Sequence, residues 1–267
     1  MREITIGQYY PVNSVIHSLD PRSKMMSALL FIVALFLVRN PVWFVGFLLI
    51  TVVEYRLANV PFGYFLKGLR TVIILLVFTF VFRTLATPGE CIFSWWIFDV
   101  AREGLVKGTQ LASRIALMII EASLLAYTTT PKEMADGLAQ AFTPFKKIGL
   151  PVDEMSIMIM IAFRFIPVML EEANDLMDAQ ASRGVEFENC SMITKMKNIF
   201  ALLMPLFIGS IERSADLAMA MEARGYSPDK PRSRMFPLAY SSKDRTAYIA
   251  SIILLAIVIA ARIAGVI

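Results

Sequence analysis

The chain has 267 residues, of which 57% are hydrophobic and 18% charged, and its mean hydropathy is +0.63. It is too apolar for an ordinary soluble domain and too charged to lie wholly in a membrane, so we predict an integral membrane protein with a sizeable polar part. A formal charge of +4 without a basic stripe excludes nucleic acid as a partner, and a single histidine, His17, argues against a His-ligated zinc site or a His-based catalytic triad.

The N-terminal part of the chain alternates polar and apolar stretches. Residues 1–24 are polar and lack the apolar core of a cleavable signal. The apolar run 25–38 is followed by Asn40-Pro41, a turn signal, and by a second run at 42–53. Because each run is short for a bilayer core about 30 Å thick, we predict a hairpin of two short helices, with one bent helix as the alternative.

Two further membrane helices are predicted next. Residues 54–70 are interpreted as an amphipathic connection, and a third helix, starting near Lys67, covers 71–82. Residues 83–99 contain a Pro-Gly turn and an aromatic cluster that suits a membrane interface. A fourth helix is predicted from about residue 104 to residue 127.

Two charges lie inside this fourth helix. Arg114 and Glu121 are seven residues apart and therefore on nearly the same helical face. Intramembrane charges are candidates for a proton or ion relay, which would make the chain a stand-alone secondary carrier or an ion channel. The alternative interpretation is a pair that joins helices or reaches the aqueous ends.

From Thr128 onward the pattern changes to amphipathic helices. Thr130 is predicted to cap a helix that has Pro131 at its first position and Glu133 in its first turn. Two long amphipathic helices are then predicted, one starting at Asp153 and one at Lys195. A last apolar span covers 246–267.

One short pattern occurs twice in these long helices, at residues 175–184 and 216–225. Each copy reads Asp-Leu, two residues, Ala, three residues, Arg-Gly, and follows a helical run opened or kinked by a proline, Pro167 or Pro205. Each glycine is suited to end a helix in the left-handed conformation, which places the arginine on the last turn. A single cation there is explained by the helix dipole, worth about 0.3–1 kcal/mol. Two copies in one register indicate two helices that each present a guanidinium to a carboxylate of a partner.

The distribution of positive charge predicts the topology. Placing residues 1–24, 54–70 and 128–245 on one side puts 20 of the 26 Lys and Arg there, and that side is the cytoplasm by the positive-inside rule. The predicted fold is all-α, with polytopic membrane helices plus a cytoplasmic domain of long amphipathic helices. Its regions are a cytoplasmic segment at 1–24, transmembrane helices at 25–127, a cytoplasmic domain at 128–245 and a transmembrane helix at 246–267.

Several catalytic motifs are absent from the sequence. It contains no G-x-x-x-x-G-K-[ST], H-E-x-x-H, G-x-S-x-G or dinucleotide fingerprint. We therefore expect no catalytic residue and no metal site, and a membrane-embedded enzyme is disfavoured.

Six stretches together resemble one known family. They are SLDPRSKM, TTTPKEMADGL, PFKKIGLPVDEM, AFRFIPVMLEEA, AQASRG and MEARGY. The chain resembles, from about Ser18 to Tyr226, the transmembrane T component of energy-coupling factor (ECF) vitamin transporters, the EcfT family. A pair of Arg-Gly helix ends about forty residues apart is the hallmark of that family.

The resemblance implies a mechanism and a set of partners. In that family two cytoplasmic coupling helices each dock an arginine in a groove of one of two ABC-type ATPases, and the T component also holds a membrane-embedded, substrate-binding S component. Magnesium-ATP would belong to the ATPases, with no cofactor on this chain, which would lie in the plasma membrane of a prokaryote. A subunit dedicated to cobalt or nickel is the alternative within this class. Carried over, the docking residues would be Arg183, Arg224, Ser182, Gly184, Ala223 and Gly225, and the coupling helices would include Arg164, Pro167, Asp175, Pro205 and Asp216.

Overall fold

The computed structural model describes residues 9–88, 91–95, 98–143, 149, 151–185, 191–227 and 240–264. The all-α prediction is confirmed for the helices, and a two-stranded hairpin is an addition that we did not predict. In chain order the elements are α1 (Pro21–Leu37), α2 (Pro41–Leu57), α3 (Phe62–Ala86), β1 (Cys91–Trp95), β2 (Phe98–Ala101), α4 (Arg102–Thr128), α5 (Pro131–Ala141), α6 (Val152–Ser182), α7 (Met192–Ala223) and α8 (Ser242–Ile263).

The predicted N-terminal hairpin is confirmed as two separate helices, α1 and α2. Asn40 caps α2 by accepting a hydrogen bond of 3.1 Å from the backbone N–H of Val42, and Pro41 occupies the first helical position. Each helix has 17 residues, which gives a length of about 26 Å at about 1.5 Å per residue. Both are therefore short for an upright span.

The predicted connection over residues 54–70 is wrong. Helix α2 continues to Leu57, and α3 already begins at Phe62, directly after Pro61. Asn59 makes the turn between them with a φ of 54°, a left-handed value that asparagine tolerates better than most residues. The charges of this stretch belong to the ends of two helices, where charge is compatible with a polar boundary.

Part of the aromatic stretch at 83–99 forms strands. β1 and β2 pair antiparallel, with Trp95 opposite Phe98 and Cys91 opposite Ala101. The two residues that join the strands lie outside the described ranges. Whether this hairpin rests at a membrane interface stays a prediction.

The chain divides into two compact units. Residues 1–141 and 238–267 form one, here called the bundle unit, and residues 142–237 form the other, here called the two-helix unit. Helix α5 thus belongs to the bundle unit, where Gly137 approaches Pro21. The predicted capping of α5 is confirmed, since Glu133 N donates to Thr130 Oγ1 at 3.2 Å and Thr130 N donates to Glu133 Oε2 at 3.0 Å.

The core of the bundle unit joins α1, α2, α4 and α8. Phe31, Leu35, Phe47, Leu117 and Val258 are buried together, and the rings of Phe31 and Phe47 meet edge to face at 5.1 Å. These side chains come from distant parts of the sequence, so the last helix completes a core that the first helix begins.

Helices α3 and α4 approach closely at two glycines. A Cβ on Gly104 would lie 2.3 Å from the backbone oxygen of Thr84, and one on Gly108 would lie 2.5 Å from Thr84 Oγ1. Only a residue without a side chain allows this contact between the two helices.

The first turns of α1 and α8 are tied together by carboxylates. Asp244 is 1% exposed and accepts hydrogen bonds of 2.7 Å from the backbone N–H groups of Asp20 and Ser241. Asp20 in turn caps α1 and forms an ion pair of 3.0 Å with Arg22. The hydrogen bonds to Asp20 raise the pKa of the Arg22 guanidinium above its ordinary value.

Within the described residues, three helices are long and apolar enough to cross a membrane: α4, α7 and α8. A shorter apolar stretch covers Val72–Ala86 in α3. Helix α7 belongs to the region that charge places in the cytoplasm, and the side of the membrane on which residues 128–245 lie stays a prediction.

Candidate functional site

The two long helices of the two-helix unit carry the repeated pattern. Helix α6 begins one residue before the predicted start at Asp153, and α7 begins three residues before Lys195, with Ser191 as its N-cap. Arg164, Pro167 and Asp175 lie on α6, and Pro205 and Asp216 lie on α7. Both prolines are inside continuous helices, so neither opens a helix.

The first Arg-Gly end closes α6 with paired backbone hydrogen bonds. The N–H of Val185 donates to the carbonyl of Gln180 at 3.1 Å, and the N–H of Gly184 donates to that of Ala181 at 2.9 Å. This is the Schellman arrangement, which needs a left-handed residue after the cap. Gly184 supplies it with a φ of 86°.

The second Arg-Gly end has the same geometry. Tyr226 N donates to Met221 O at 3.0 Å, Gly225 N donates to Glu222 O at 2.9 Å, and Gly225 has a φ of 74°. The cap residues match closely, with φ and ψ of −86° and 6° at Arg183 and −87° and 7° at Arg224. The sequence repeat is thus a structural repeat, and the two arginines leave their helices in the same local frame.

Both arginines are exposed, as are Ser182 and Ala223 before them. Ser182 Oγ donates to the Asp178 carbonyl at 2.9 Å, which occupies this hydroxyl within α6. Among the residues that the structure describes, neither guanidinium has a hydrogen-bond or ion-pair partner. Each therefore offers a planar set of donors suited to a carboxylate on another molecule.

Helices α6 and α7 meet near their middles. Glu172 Oε2 lies 2.6 Å from a guanidinium nitrogen of Arg213. Ser210 Oγ donates to the carbonyl of Leu206 within α7 at 2.6 Å and lies 3.3 Å from the sulfur of Met169 on α6. A Cβ on Gly209 would lie 3.3 Å from Glu172 Oε1. Gly209 and Ser210 are thus at the contact, where their small size allows the two helices to approach closely.

Sequence reasoning missed the ion pair between Glu172 and Arg213. The available signal was the repeat itself, since Glu172 and Arg213 each lie three residues before their copy, at equivalent positions.

Arg114 and Glu121 are not brought together. The Arg114 guanidinium donates to the backbone carbonyl of Val38 and lies 5.6 Å from the centre of the Phe36 ring. Glu121 instead faces Glu54 of α2. Each charge therefore joins α4 to another helix, and they do not form one relay with each other.

Glu54 and Glu121 line a cavity of about 540 Å³ inside the bundle unit. Its other walls are mainly apolar side chains of α1, α2, α4 and α8, with Lys24 also present. Sequence reasoning missed Glu54, although an acidic residue at the end of an apolar run is a signal that would have found it. Across the described ranges, no group of three or more His, Cys, Asp and Glu residues is placed to hold a metal ion.

Comparison with known proteins identifies the family. Residues 12–235 match the family model described as CbiQ, cobalt transport protein. Proteins named energy-coupling factor transporter transmembrane protein EcfT are similar over nearly the whole chain. The one from Acidaminococcus fermentans is 40% identical over 247 residues, which cover 91% of each chain. The one from Clostridium kluyveri is 40% identical over 265 residues, covering 98% of each. The one from Bacillus subtilis is 40% identical over 257 residues, covering 96% of this chain and 97% of the relative.

The family resemblance based on six short stretches is therefore confirmed over almost the full length. The relatives are named as membrane components of a transporter and not as enzymes. Together with the matched Arg-Gly ends and the apolar helices, this similarity shows that the chain belongs to the EcfT family, the T components of ECF transporters.

Proposed function

We propose that the chain couples two ABC-type ATPases to a membrane-embedded S component that carries the substrate. Arg183 and Arg224 dock in the ATPases, one in each, and their helices transmit the movement driven by ATP. Magnesium-ATP is bound and hydrolysed by those partners, in line with the absence of a P-loop from this sequence. The N-terminus and residues 128–245 face the cytoplasm, where ATP is available.

The observation that carries this proposal is the matched geometry of the two helix ends. Two helix caps with nearly equal backbone angles present two exposed guanidinium groups without partners in the described part of the chain. Two similar ATPase subunits need two similar docking groups, and a structural repeat provides them. The fold does not otherwise require both arginines, since the glycines alone provide the helix ends.

Removing both arginines tests the docking role in the assembled transporter. We expect Arg183→Ala or Arg224→Ala to lower substrate uptake into vesicles, and the double variant to lose the ATPases on purification. Loss of one partner of a buried charge pair costs about 2–5 kcal/mol. Arg→Lys at either position is expected to lower uptake as well, because lysine cannot form a bidentate pair.

Lys132→Ala is the matched control, because it removes an exposed cation from α5, away in the sequence from both Arg-Gly ends and from α7. It should leave uptake and copurification unchanged. A double Arg variant that still brings down both ATPases would refute the docking role. Transport by the purified chain alone would instead favour the carrier hypothesis built on Arg114 and Glu121.

The proposed S-component surface is the N-terminal half of α7. Large apolar side chains there are more than half exposed, and the surface they form is here called the α7 apolar surface: Met192, Ile193, Met196, Phe200, Met204 and Phe207. A surface of this size on a helix needs a cover of lipid or protein. Methionine-rich surfaces adapt to several partners, which fits a subunit that holds a separate substrate-binding protein.

A further inference from the structure

The crossing of α6 and α7 occurs at equivalent points of the sequence repeat. Arg183 and Arg224 are forty-one positions apart, and so are Glu172 and Arg213, and Met169 and Ser210. The last two pairs are the ones in contact. Residues that correspond to each other in the repeat therefore touch each other, and the crossing divides the two helices at the same place.

Because of this placement, the segment from the crossing to the Arg-Gly end has the same length in both helices; each such segment is here called an arm. Arg183 follows Glu172 by eleven positions, and Arg224 follows Arg213 by eleven positions. At about 1.5 Å per residue, each arm is about 16 Å long. The distance between the two arginines then depends on how α6 and α7 cross and on whether one slides along the other.

At the crossing, the charge is reversed between α6 and α7 at one pair of equivalent positions, while nearby acids are the same in both helices. Glu171 corresponds to Glu212, and Asp175 to Asp216, so these acids are kept in both copies. Between them, Glu172 corresponds to Arg213. Residues at a crossing of equivalent positions face each other, so two glutamates there would repel, whereas Glu and Arg attract.

The surroundings favour a fixed contact over a loose surface pair. The nitrogen to oxygen distance is 2.6 Å and both side chains are partly buried. Arg213 also reaches the sulfur of Met169 at 3.8 Å, and Gly209 leaves room for the carboxylate against the backbone of α7. Sliding by one residue would move Glu172 away from both Arg213 and Gly209.

We propose that the ion pair between Glu172 and Arg213 is a positioning pair that locks the register of α6 on α7 and so sets the separation of Arg183 and Arg224. The consequence for transport rests on the proposed docking of those arginines. The register itself does not, and it can be measured without the ATPases.

The test uses paired spin labels on the full chain in nanodiscs. Cys91 and Cys190 are replaced by serine, and labels are placed at the exposed, equivalent positions Ala181 and Glu222. The inter-label distance is measured by pulsed electron paramagnetic resonance. We expect one narrow distance in the parent chain, and a shifted or broadened distribution in Glu172→Arg and in Arg213→Glu.

Exchanging the two charges of the pair tests whether the attraction between them sets the register. Combining Glu172→Arg with Arg213→Glu should restore the parent distance, because the pair is re-formed with its charges exchanged. Glu171→Arg and Glu212→Arg are the matched controls, since these exposed acids flank the pair, and both should leave the distance unchanged. If a single reversal fails to fold, Glu172→Gln keeps the shape, removes the charge and should broaden the distribution.

Uptake by the assembled transporter gives a second readout. Each single reversal should reduce uptake about fivefold to thirtyfold, as a change of one to two kcal/mol would, and the swap should recover it. A parent distance in both single reversals, or no recovery in the swap, would overturn the positioning role. If the double alanine variant of Arg183 and Arg224 keeps its ATPases, the docking proposal fails while the distance result still stands.

Discussion

The bundle unit and the two-helix unit differ in how they are held together. In the bundle unit, side chains from four helices share one buried core, and glycines bring α3 and α4 into close contact. In the two-helix unit, α6 and α7 are joined near one crossing, and most of their large apolar side chains remain exposed. Both consist of long helices, so the difference lies in packing and not in secondary structure.

This difference indicates that the two units have different roles. A unit with its own core keeps its shape without help, whereas two long helices joined near one crossing need partners to cover them. The two-helix unit also carries the matched arginines. A pair of helices that must respond to other subunits gains from having few internal contacts that resist movement.

The largest contrast is expected between two phenylalanines. Phe47 is 2% exposed in the bundle core, while Phe200 is 62% exposed on the α7 apolar surface. Phe47→Ala should lower the free energy of unfolding in micelles by about 3–5 kcal/mol, because it removes a buried ring and leaves a cavity. Phe200→Ala should change it by less than about 0.5 kcal/mol, yet weaken retention of the S component on purification. Equal losses of stability would show that the two units are held together in the same way.

A smaller contrast is expected between two glycines. The Cβ of Gly104→Ala would meet the Thr84 carbonyl oxygen, a backbone atom held in α3. We therefore expect this variant to lower the free energy of unfolding by about 1–3 kcal/mol. The Cβ of Gly209→Ala would meet only the end of the flexible Glu172 side chain. Because alanine is favoured over glycine in a helix by about 1 kcal/mol, we expect this variant not to lower the free energy of unfolding. Thermal unfolding of the two variants beside the parent chain measures this. A destabilised Gly209→Ala would mean that the crossing is packed as tightly as the bundle.

The smallest effect is expected at the helix ends. Gly184 has a positive φ and open space around its Cα. Gly184→Ala should therefore destabilise the end of α6 by about 1 kcal/mol, from the backbone conformation alone. The effect should be local, with faster hydrogen exchange in the last turn of α6 and weaker ATPase binding, while the bundle unit stays unchanged. Gly184→Asn is the control, since asparagine tolerates this conformation better. Faster exchange in α1 or α2 would contradict a local effect on α6.

Local signals were sufficient for much of the fold and for the ends of the candidate site. Asn40-Pro41 and Thr130-Pro131 predicted the starts of α2 and α5. Asn40 and Thr130 cap backbone groups in the first turn, and a proline fits the first helical position, so each signal acts within one turn. The Arg-Gly repeat placed two equivalent helix ends for the same reason. These features depend on neighbours in the sequence, and the structure confirms them.

Other features depend on partners that are distant along the chain. The facing carboxyl groups of Glu54 and Glu121 and the contact of Glu172 with Arg213 form only when separate helices pack, so neither could be derived from a single helical pattern. The pairing of β1 with β2 was missed because the aromatic residues of that stretch suit a membrane interface as well as a strand. The start of α3 was misplaced because charges at a helix end resemble those of a connection.

The hydrogen bond from Asp20 to Asp244 links residues 224 positions apart in the sequence. Its acceptor belongs to α8, so the first turn of α1 is held in place only after α8 has been synthesised and has packed against it. Until then, the face of α1 that α8 covers has no protein cover. We therefore expect a variant truncated before α8 to insert its earlier helices into the membrane and to be degraded faster than the parent chain.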